Sequence, residues 1–492
     1  MPYISRRRFV VGGLGAAAGL AMLTACNRQT PAAPAGSTPS TGAGGQAGRQ
    51  APAKASSKEN VTIRLLTTES DPPSQKVYNA AVTEFTGQNP NIKIEVDYVG
   101  FDARTEKLVT GLGAKKVAHL AQLVPHEVVE YAILGYLSPV DEIVAETGGR
   151  EKWQVTSLDA TVVNGKNYAL PYAGDGYRTL WCRMDLLEKN AIQPPTTWDE
   201  WKAAAQKLTQ DTNGDGAVDR FGVALPGAKA GWTVSNYMRF LWQTGETVFD
   251  KDFNVTFGKE GSVRALQFYK DMVKFGPPAY ASYSYSETID AYVTGQVATQ
   301  PYAGRTLMRV YENAPQLVEV TRGIKHPVGP IGGDVGLVNW DMYGVFNEKV
   351  GVNPAEQEAA KKFLKFLVIG KVATDFMLTV PGHMIPPHLS TLEDQNLWNG
   401  HPLMISHRKE IDWLYNTQNS LMEVTEAGAG ITAQKVTPGV VNPHWNAVAS
   451  AKVIETMVQR AIVSNEEPKA AVDWGASEIK RVTEESKKKL KQ

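Results

Sequence analysis

From Val61 onward, short β-branched runs alternate with longer stretches of helical periodicity, and this rhythm constrains the fold more than any other feature of the chain. Val61-Thr62-Ile63-Arg64-Leu65-Leu66 predicts a strand, and residues 75–88 carry Val77, Ala81, Val82 and Phe85 at helical spacing. Ile92-Lys93-Ile94-Glu95-Val96 alternates as a half-buried strand. A helix-like stretch precedes the apolar run 120–124, and another follows over 126–134. This order predicts an α/β fold with a mainly parallel sheet covered by helices. Ligands of such sheets gather at the carboxyl ends of the strands. The carboxyl-terminal third reads as helices over 356–368, 372–378, 402–414, 445–463 and 468–490, and Lys487-Lys488-Lys489 is the solvated end of the last.

With 492 residues and 42% hydrophobic side chains, a large core and two or three domains are feasible. The 51 basic and 51 acidic side chains balance, which argues against a nucleic-acid partner, since phosphate recognition calls for a basic excess. Two cysteines exclude a disulfide scaffold and every Cys-rich zinc module.

The first 25 residues read as a signal peptide and not as fold. Ser5-Arg6-Arg7-Arg8-Phe9-Val10 is a twin-arginine pattern, followed by a Gly/Ala-rich apolar run that ends in Leu23-Thr24-Ala25-Cys26. The run is shorter than the roughly 20 residues that span a bilayer, and its last four residues match a lipobox. Cys26 is the expected lipidation site; the alternative is a plain transmembrane anchor with an incidental cysteine. Residues 26–59 then hold the lipidated cysteine and a Pro/Ala/Gly/Ser/Thr-rich segment that cannot bury enough apolar area to order itself, a disordered tether with a reach of roughly 30 Å. Cys182, in Thr179-Leu180-Trp181-Cys182, is expected as a buried free thiol.

Several constellations could carry chemistry. Asp211, Asn213, Asp215 and Asp219 stand at positions 1, 3, 5 and 9 of a calcium-type loop, with Gly216 at 6, but position 12 is Gly222 and not the bidentate Glu. The loop is either a weak calcium site or an Asx-rich turn; no other cofactor is expected. Thr197 with Glu200 forms a capping box that starts a helix burying Trp198 and Trp201. Asp175 follows Leu170-Pro171-Tyr172-Ala173-Gly174 and is placed either to accept hydroxyl hydrogen bonds in a cleft or as an exposed loop acid. Trp232, Tyr302 beside Arg305, Trp340 and Trp445 are aromatic candidates, since flat rings suit the C–H faces of sugars, although each is equally a candidate core residue. Asp71 joins them as a further binding candidate after the first strand. The eight histidines lack the paired spacing of a metal site, and the common phosphate-loop, zinc-protease and serine-hydrolase motifs are absent.

In this order, behind a lipobox, the motifs resemble the family 1 extracellular solute-binding proteins of bacterial ABC importers, the maltose-binding-protein-like group. The carriers are Glu84-Phe85 through Asn89-Pro90-Asn91-Ile92-Lys93-Ile94, Asn164-Gly165-Lys166-Asn167-Tyr168-Ala169-Leu170-Pro171, Pro195-Thr196-Thr197-Trp198-Asp199-Glu200, residues 211–222, and 359–378 followed by Pro381-Gly382-His383. The resemblance implies a two-lobed periplasmic-binding-protein type II fold, each lobe a mainly parallel sheet flanked by helices, with ligand in the interlobe cleft and hinge closure on binding. It places 60–174 and 300–338 in the first lobe, and 175–299 and 339–492 in the second. By the family pattern Asp175 contacts the sugar and Trp445 stacks on it. The chain departs from the pattern at Tyr302-Ala303-Gly304-Arg305, which removes the usual second stacking platform and opens the site to a more polar or charged ligand, and at Pro125-His126-Glu127, where His126 or Glu127 takes over the first lobe's polar contact. The implied function is that of a monomeric receptor, lipid-anchored on the outer face of the cell membrane, that captures a carbohydrate and delivers it to ABC permease subunits. A peptide, polyamine or sugar phosphate as ligand, and an exported glycoside hydrolase with paired carboxylates, are the alternatives.

Overall fold

The computed structural model describes residues 60–250, 252–332, 335–416, 421–423 and 442–490. The twin-arginine pattern, the lipobox with Cys26 and the tether lie outside the described residues. Among those described, no helix is long and apolar enough to cross a membrane.

In chain order the strands are β1 (Val61–Thr67), β2 (Ile92–Tyr98), β3 (Leu120–Leu123), a short hairpin β4 (Val162–Val163) and β5 (Lys166–Asn167), β6 (Leu170–Tyr177), β7 (Thr179–Arg183), β8 (Phe221–Val223), β9 (Val297–Pro301), β10 (Thr321–Lys325), β11 (Val335–Val345), β12 (Met384–Ile385) and β13 (Leu421–Glu423). They form two principal sheets. One runs β12-β6-β11-β3-β1-β2 with β13 paired to β11, and the other runs β10-β7-β9-β8.

The opening β-α-β-α-β segment is parallel as its rhythm predicts: β1 pairs in parallel with β2 and β3. The sheets as wholes are mixed and not mainly parallel. β11 runs antiparallel to β3 and β6, and β7 runs antiparallel to β9 and β10. The reason is that strands arriving from the other sheet enter at the opposite end from those fed by a local helical crossover.

Sheet membership also redraws the expected lobes. Asp175 stays in β6 of the first sheet; β10, expected in the first lobe, belongs to the second sheet together with the whole of β9, which the expected boundary at 299/300 divides, and β11 and β12 return to the first. Helices Val453–Ile462 and Pro468–Leu490 then pack on the second-lobe helices Gly231–Trp242 and Glu260–Met272. A carboxyl-terminal helix expected over 445–463 is two, Trp445–Ser450 and Val453–Ile462, because Lys452 takes a left-handed backbone (φ 51°) between them. Residues 402–414 likewise break at His407.

The lobes are joined where β6 ends and β7 begins. Arg178, the residue between them, is fully buried, lies 4.3 Å over the Trp413 ring and donates to the carbonyls of Trp413 and Asn416. The lobes also touch at Gly304 and Gly382. A Cβ at Gly304 would sit 1.8 Å from the Gly382 carbonyl oxygen, so only glycine permits this approach. In the second lobe the Thr197/Glu200 capping box forms as predicted, and Trp198 and Trp201 are buried below it. Cys182 is a buried free thiol whose pKa burial pushes up.

Candidate ligand cleft

β1 and β3 end side by side, and the chain leaving β1 is held by one amide. Gln122 accepts from the Thr68 backbone N–H (2.7 Å) and from the Thr67 and Thr68 hydroxyls (3.2 and 2.8 Å), and donates to Asp341 Oδ1 at 3.3 Å. It thereby fixes both the segment carrying Glu69 and the carboxylate on β11. The Tyr172 hydroxyl donates to Glu69 Oε1 at 2.7 Å, and the Tyr172 ring is itself stacked on Tyr343 at 4.4 Å. Burial, with Asp341 next in weight, pushes the Glu69 carboxyl up to about 7 against the pull of Tyr172 and Arg305.

Strand alternation sorts the neighbouring residues. Across the β6–β11 pair, Asn339 opposes Asp175, Trp340 opposes Gly174 and Asp341 opposes Ala173. Asp175 and Asp341 therefore share one face of the sheet, while Trp340 projects from the other. Trp340 is fully buried over Gly174, where a Cβ would meet its ring at 2.6 Å. Asp175 accepts from the Tyr177 hydroxyl at 3.2 Å through Oδ2. His383 Nε2 stands 3.2 Å from Oδ1 without a hydrogen bond between them, which leaves Asp175 Oδ1 buried and unpaired; the other ring nitrogen, His383 Nδ1, is also buried and unpaired. Burial and then the Asp341 charge hold the Asp175 carboxyl well above the usual range, opposed by Arg305, and Asp341 is raised chiefly by burial. Burial and the Arg305 charge keep His383 neutral.

The second lobe contributes an aromatic wall. Tyr302 follows β9 and lies 4.6 Å from Trp232, 5.6 Å from Tyr177 and 5.9 Å from His383, the last ring nearly parallel. Trp232, at the start of the helix Gly231–Trp242, is 6% exposed and its Nε1 is unpaired. Arg305 opens the helix Arg305–Asn313, and its charge acts on Glu69, Asp175 and Asp341 alike.

Of the residues singled out from sequence, Asp175, Tyr302, Arg305 and Trp232 come together here. Trp340 is on the far face of its sheet. Trp445 is 2% exposed and packs edge-on against Phe249 at 6.4 Å, inside the second lobe. Asp71 caps the helix Pro72–Gln88 by accepting from the Ser74 N–H at 3.1 Å, with its charge facing Glu69. Glu127 is consumed by the buried Arg104, 2.9 Å away, and by the Val124 N–H. That leaves His126 half-buried with Nδ1 unpaired, its pKa pushed down to about 3 by burial and Arg104.

The calcium-type loop folds on itself. Asp211 accepts from the N–H groups of Gly214 and Gly216 (2.6 and 2.8 Å), Asn213 from Asp215 (2.9 Å), Asp215 from Ala217 (2.8 Å) and Asp219 from Thr212 (2.9 Å). This is the Asx-turn arrangement. Among the described residues no group of three or more His, Cys, Asp or Glu side chains converges as a metal set.

Glu69, Asp341, Gln122, Tyr177 and His383 were not singled out from sequence as site residues. Glu69 carried a readable signal, an acid just past the carboxyl end of a parallel strand. The others depend on which strands become neighbours.

Comparison with known proteins places the chain in a family and a fold. Residues 69–368 match the family model described as bacterial extracellular solute-binding protein. A "Putative binding protein" of Brucella abortus is 27% identical over 329 residues, 66% of this chain and 76% of its own length. The "Putative ABC transporter periplasmic-binding protein YcjN" of Escherichia coli is 23% identical over 340 residues, 68% of this chain and 74% of its own. Among solved structures, maltose-bound MalE3 of T. maritima superposes with a TM-score of 0.68 at 21% identity, covering 85% of this chain and 99% of that one. A solute-binding protein of Agrobacterium radiobacter in complex with ribitol gives 0.68 at 21%, covering 86% and 99%. These likenesses establish the MalE-like, two-lobed type II periplasmic-binding fold. Family and neighbours are binding proteins and not hydrolases, so paired carboxylates in this cleft do not make a glycosidase. The chain belongs to the bacterial extracellular solute-binding protein family, the exported binding components of ABC transporters.

Proposed function

We propose that this protein captures a carbohydrate or polyol between its lobes and presents it to the permease of an ABC importer, held at the outer face of the membrane by an acyl group on Cys26. The observation that carries the reading is the pairing of Asp175, Glu69 and Asp341, with Tyr177 beside them, on one side with Trp232 and Tyr302 on the other. Carboxylates accept from hydroxyls while flat rings cover the C–H faces of a sugar. The maltose- and ribitol-bound neighbours support this class of ligand. Arg178 at the crossing and the Gly304–Gly382 approach are where closure would turn. A binding component of this kind works as a monomer that docks reversibly.

Titration calorimetry of the purified protein against mono- and oligosaccharides and polyols tests the reading, with mass spectrometry of whatever co-purifies. Stoichiometric binding without turnover supports it. Products released from an oligosaccharide, or co-purification of a peptide alone, would overturn it. Cys26→Ser should release the protein from membranes, because only the thiol takes up diacylglycerol; unchanged membrane association would remove the anchor from the proposal.

A further inference from the structure

We propose that the ligand carries one basic amine, as an amino sugar or an amine-bearing polyol does, and that its ammonium sits among Glu69, Asp175 and Asp341. The inference rests on the cleft being the solute site and adds the chemical class it selects.

Among the described residues, acids outnumber bases at this buried place. Three carboxylates from three parts of the first sheet converge: Asp175 on β6 and Asp341 on β11 share one face by register, and Gln122, which donates to Asp341, also holds Thr68 next to Glu69 after β1, with Asp71 adding a fourth negative charge near Glu69. Among the described residues one cation faces all three, Arg305, and it acts on them through space. The other nearby cation, Arg104, is spent on Glu127 (2.9 Å) and the Gln122 carbonyl (3.1 Å), although its charge reaches Asp341. His383 is neutral. From the second lobe the facing groups are the phenols of Tyr302 and Tyr285, which bring no positive charge.

A site for neutral hydroxyls is served by one such carboxylate and does not call for three close together. Amide side chains accept from a hydroxyl without the cost of burying like charges together. The raised carboxyls show the strain of the unliganded cleft, which is relieved by retained protons. A single ammonium relieves it differently, by letting the carboxylates ionise around it. Arg305 sets the limit at one, since a second ammonium on a linear polyamine would face it.

Two further groups leave room for hydroxyls beside the amine. Trp232, which is 6% exposed and touches Tyr302 and Tyr177, has an unpaired Nε1 donor, and His383, 3% exposed against Asp175, has an unpaired Nδ1. Both suit ring hydroxyls. The aromatic wall also favours a cation over a neutral ligand of the same shape.

The experiment is calorimetry on the purified protein with glucosamine against glucose, and the glucosamine disaccharide against cellobiose, at about pH 7 and about pH 5.5. The amine-bearing member of each pair should bind about tenfold tighter or more near neutrality. The preference should shrink severalfold at the lower pH, where Glu69 keeps its proton, and protons should be released on binding. Glu69→Gln and Asp341→Asn, checked for folding by their melting curves, should each reduce the preference. Neutral sugars binding as well as their amines, with affinity falling as pH rises, would overturn the inference and leave the carbohydrate reading standing. Failure of every sugar and amino sugar to bind would bring down both. An amine preference that survives in both variants would move the ammonium away from this cluster.

Discussion

Two clusters of acids in this molecule have opposite fates. Glu69, Asp175 and Asp341 are drawn together inside the cleft, and burial holds all three carboxyls above their ordinary range. Asp211, Asp215 and Asp219 share an exposed loop in which each carboxylate is met by backbone N–H groups, and Asp219 is held below its ordinary range by Thr212. The residue types are nearly the same. What differs is who meets the negative charge: several backbone amides and solvent in the loop; in the cleft, a single side-chain donor each, one arginine at a distance and other acids. An acid whose charge is already satisfied has nothing left for a ligand, and one that is not satisfied is a binding group in waiting.

The sharpest way to break this contrast is to delete one acid from each cluster. Asp175→Ala should weaken ligand binding by about 2–5 kcal/mol, roughly thirtyfold or more, since it strips a buried charged acceptor and leaves Arg305 and His383 facing a gap. Asp211→Ala should leave affinity within a factor of about two, being on the lobe's exterior. Calorimetric titration of both variants decides it. Equal losses would mean that the loop belongs to the site, and no loss in Asp175→Ala would remove Asp175 from it.

A second test reads the two clusters through pH. Glu69 has a folded pKa of about 7 against an ordinary 4.5, so the folded state holds its proton more tightly than the unfolded chain. Its contribution is fully present below pH 4.5 and is lost as pH rises through about 7, amounting to about 3 kcal/mol in the unliganded protein. Asp175 and Asp341 slope the same way. Asp219, with its depressed pKa, slopes the other way: its contribution is present above its unfolded value and is lost as pH falls through the folded one. Urea denaturation of the wild type and Glu69→Gln across this range should show the variant with the flatter profile between about pH 5 and 7. Parallel profiles would mean that Glu69 titrates as an ordinary surface acid.

The same contrast shows what a sequence makes visible. The loop announced itself because all its groups lie within nine positions and their spacing is itself the motif. The β-α-β-α-β opening and the capping box at Thr197 were legible for the same reason: the interactions that make them are local. The cleft was half legible. Asp175, Tyr302 and Arg305 sit in segments whose order along the chain resembles a family, and the structure brings them together. Asp341 and His383 come to line the candidate cleft only because β11 returns to lie against β6 and Gly382 approaches Gly304, pairings of residues far apart in sequence. Trp340 and Trp445 misled for the complementary reason. A tryptophan beside polar residues has the same local signature on either face of a strand, and only the register across β6 and β11 puts Trp340 on the far side from Asp175.

The smallest expected effect concerns metal. If the loop oxygens were cation ligands, chelation would cost the protein the free energy of that binding, RT ln(1 + [L]/Kd), or about 1–3 kcal/mol for a site filled at tens to a hundred times its Kd. In the structure Asp211, Asn213 and Asp215 accept from the loop's own N–H groups, and the position that normally supplies a bidentate carboxylate is Gly222. A cation would have to displace those hydrogen bonds with one strong ligand missing. EDTA should therefore shift the melting temperature by a few degrees at most and leave ligand affinity intact. Asp211→Ala should cost more than chelation does, about 1 kcal/mol, because it removes the acceptor that closes the turn. Measuring both by differential scanning calorimetry orders the two effects. Should EDTA destabilise the wild type strongly while leaving Asp211→Ala unchanged, the loop carboxylates would be ligands in solution, and the two acidic clusters would differ in the charge they await and not in whether they await one.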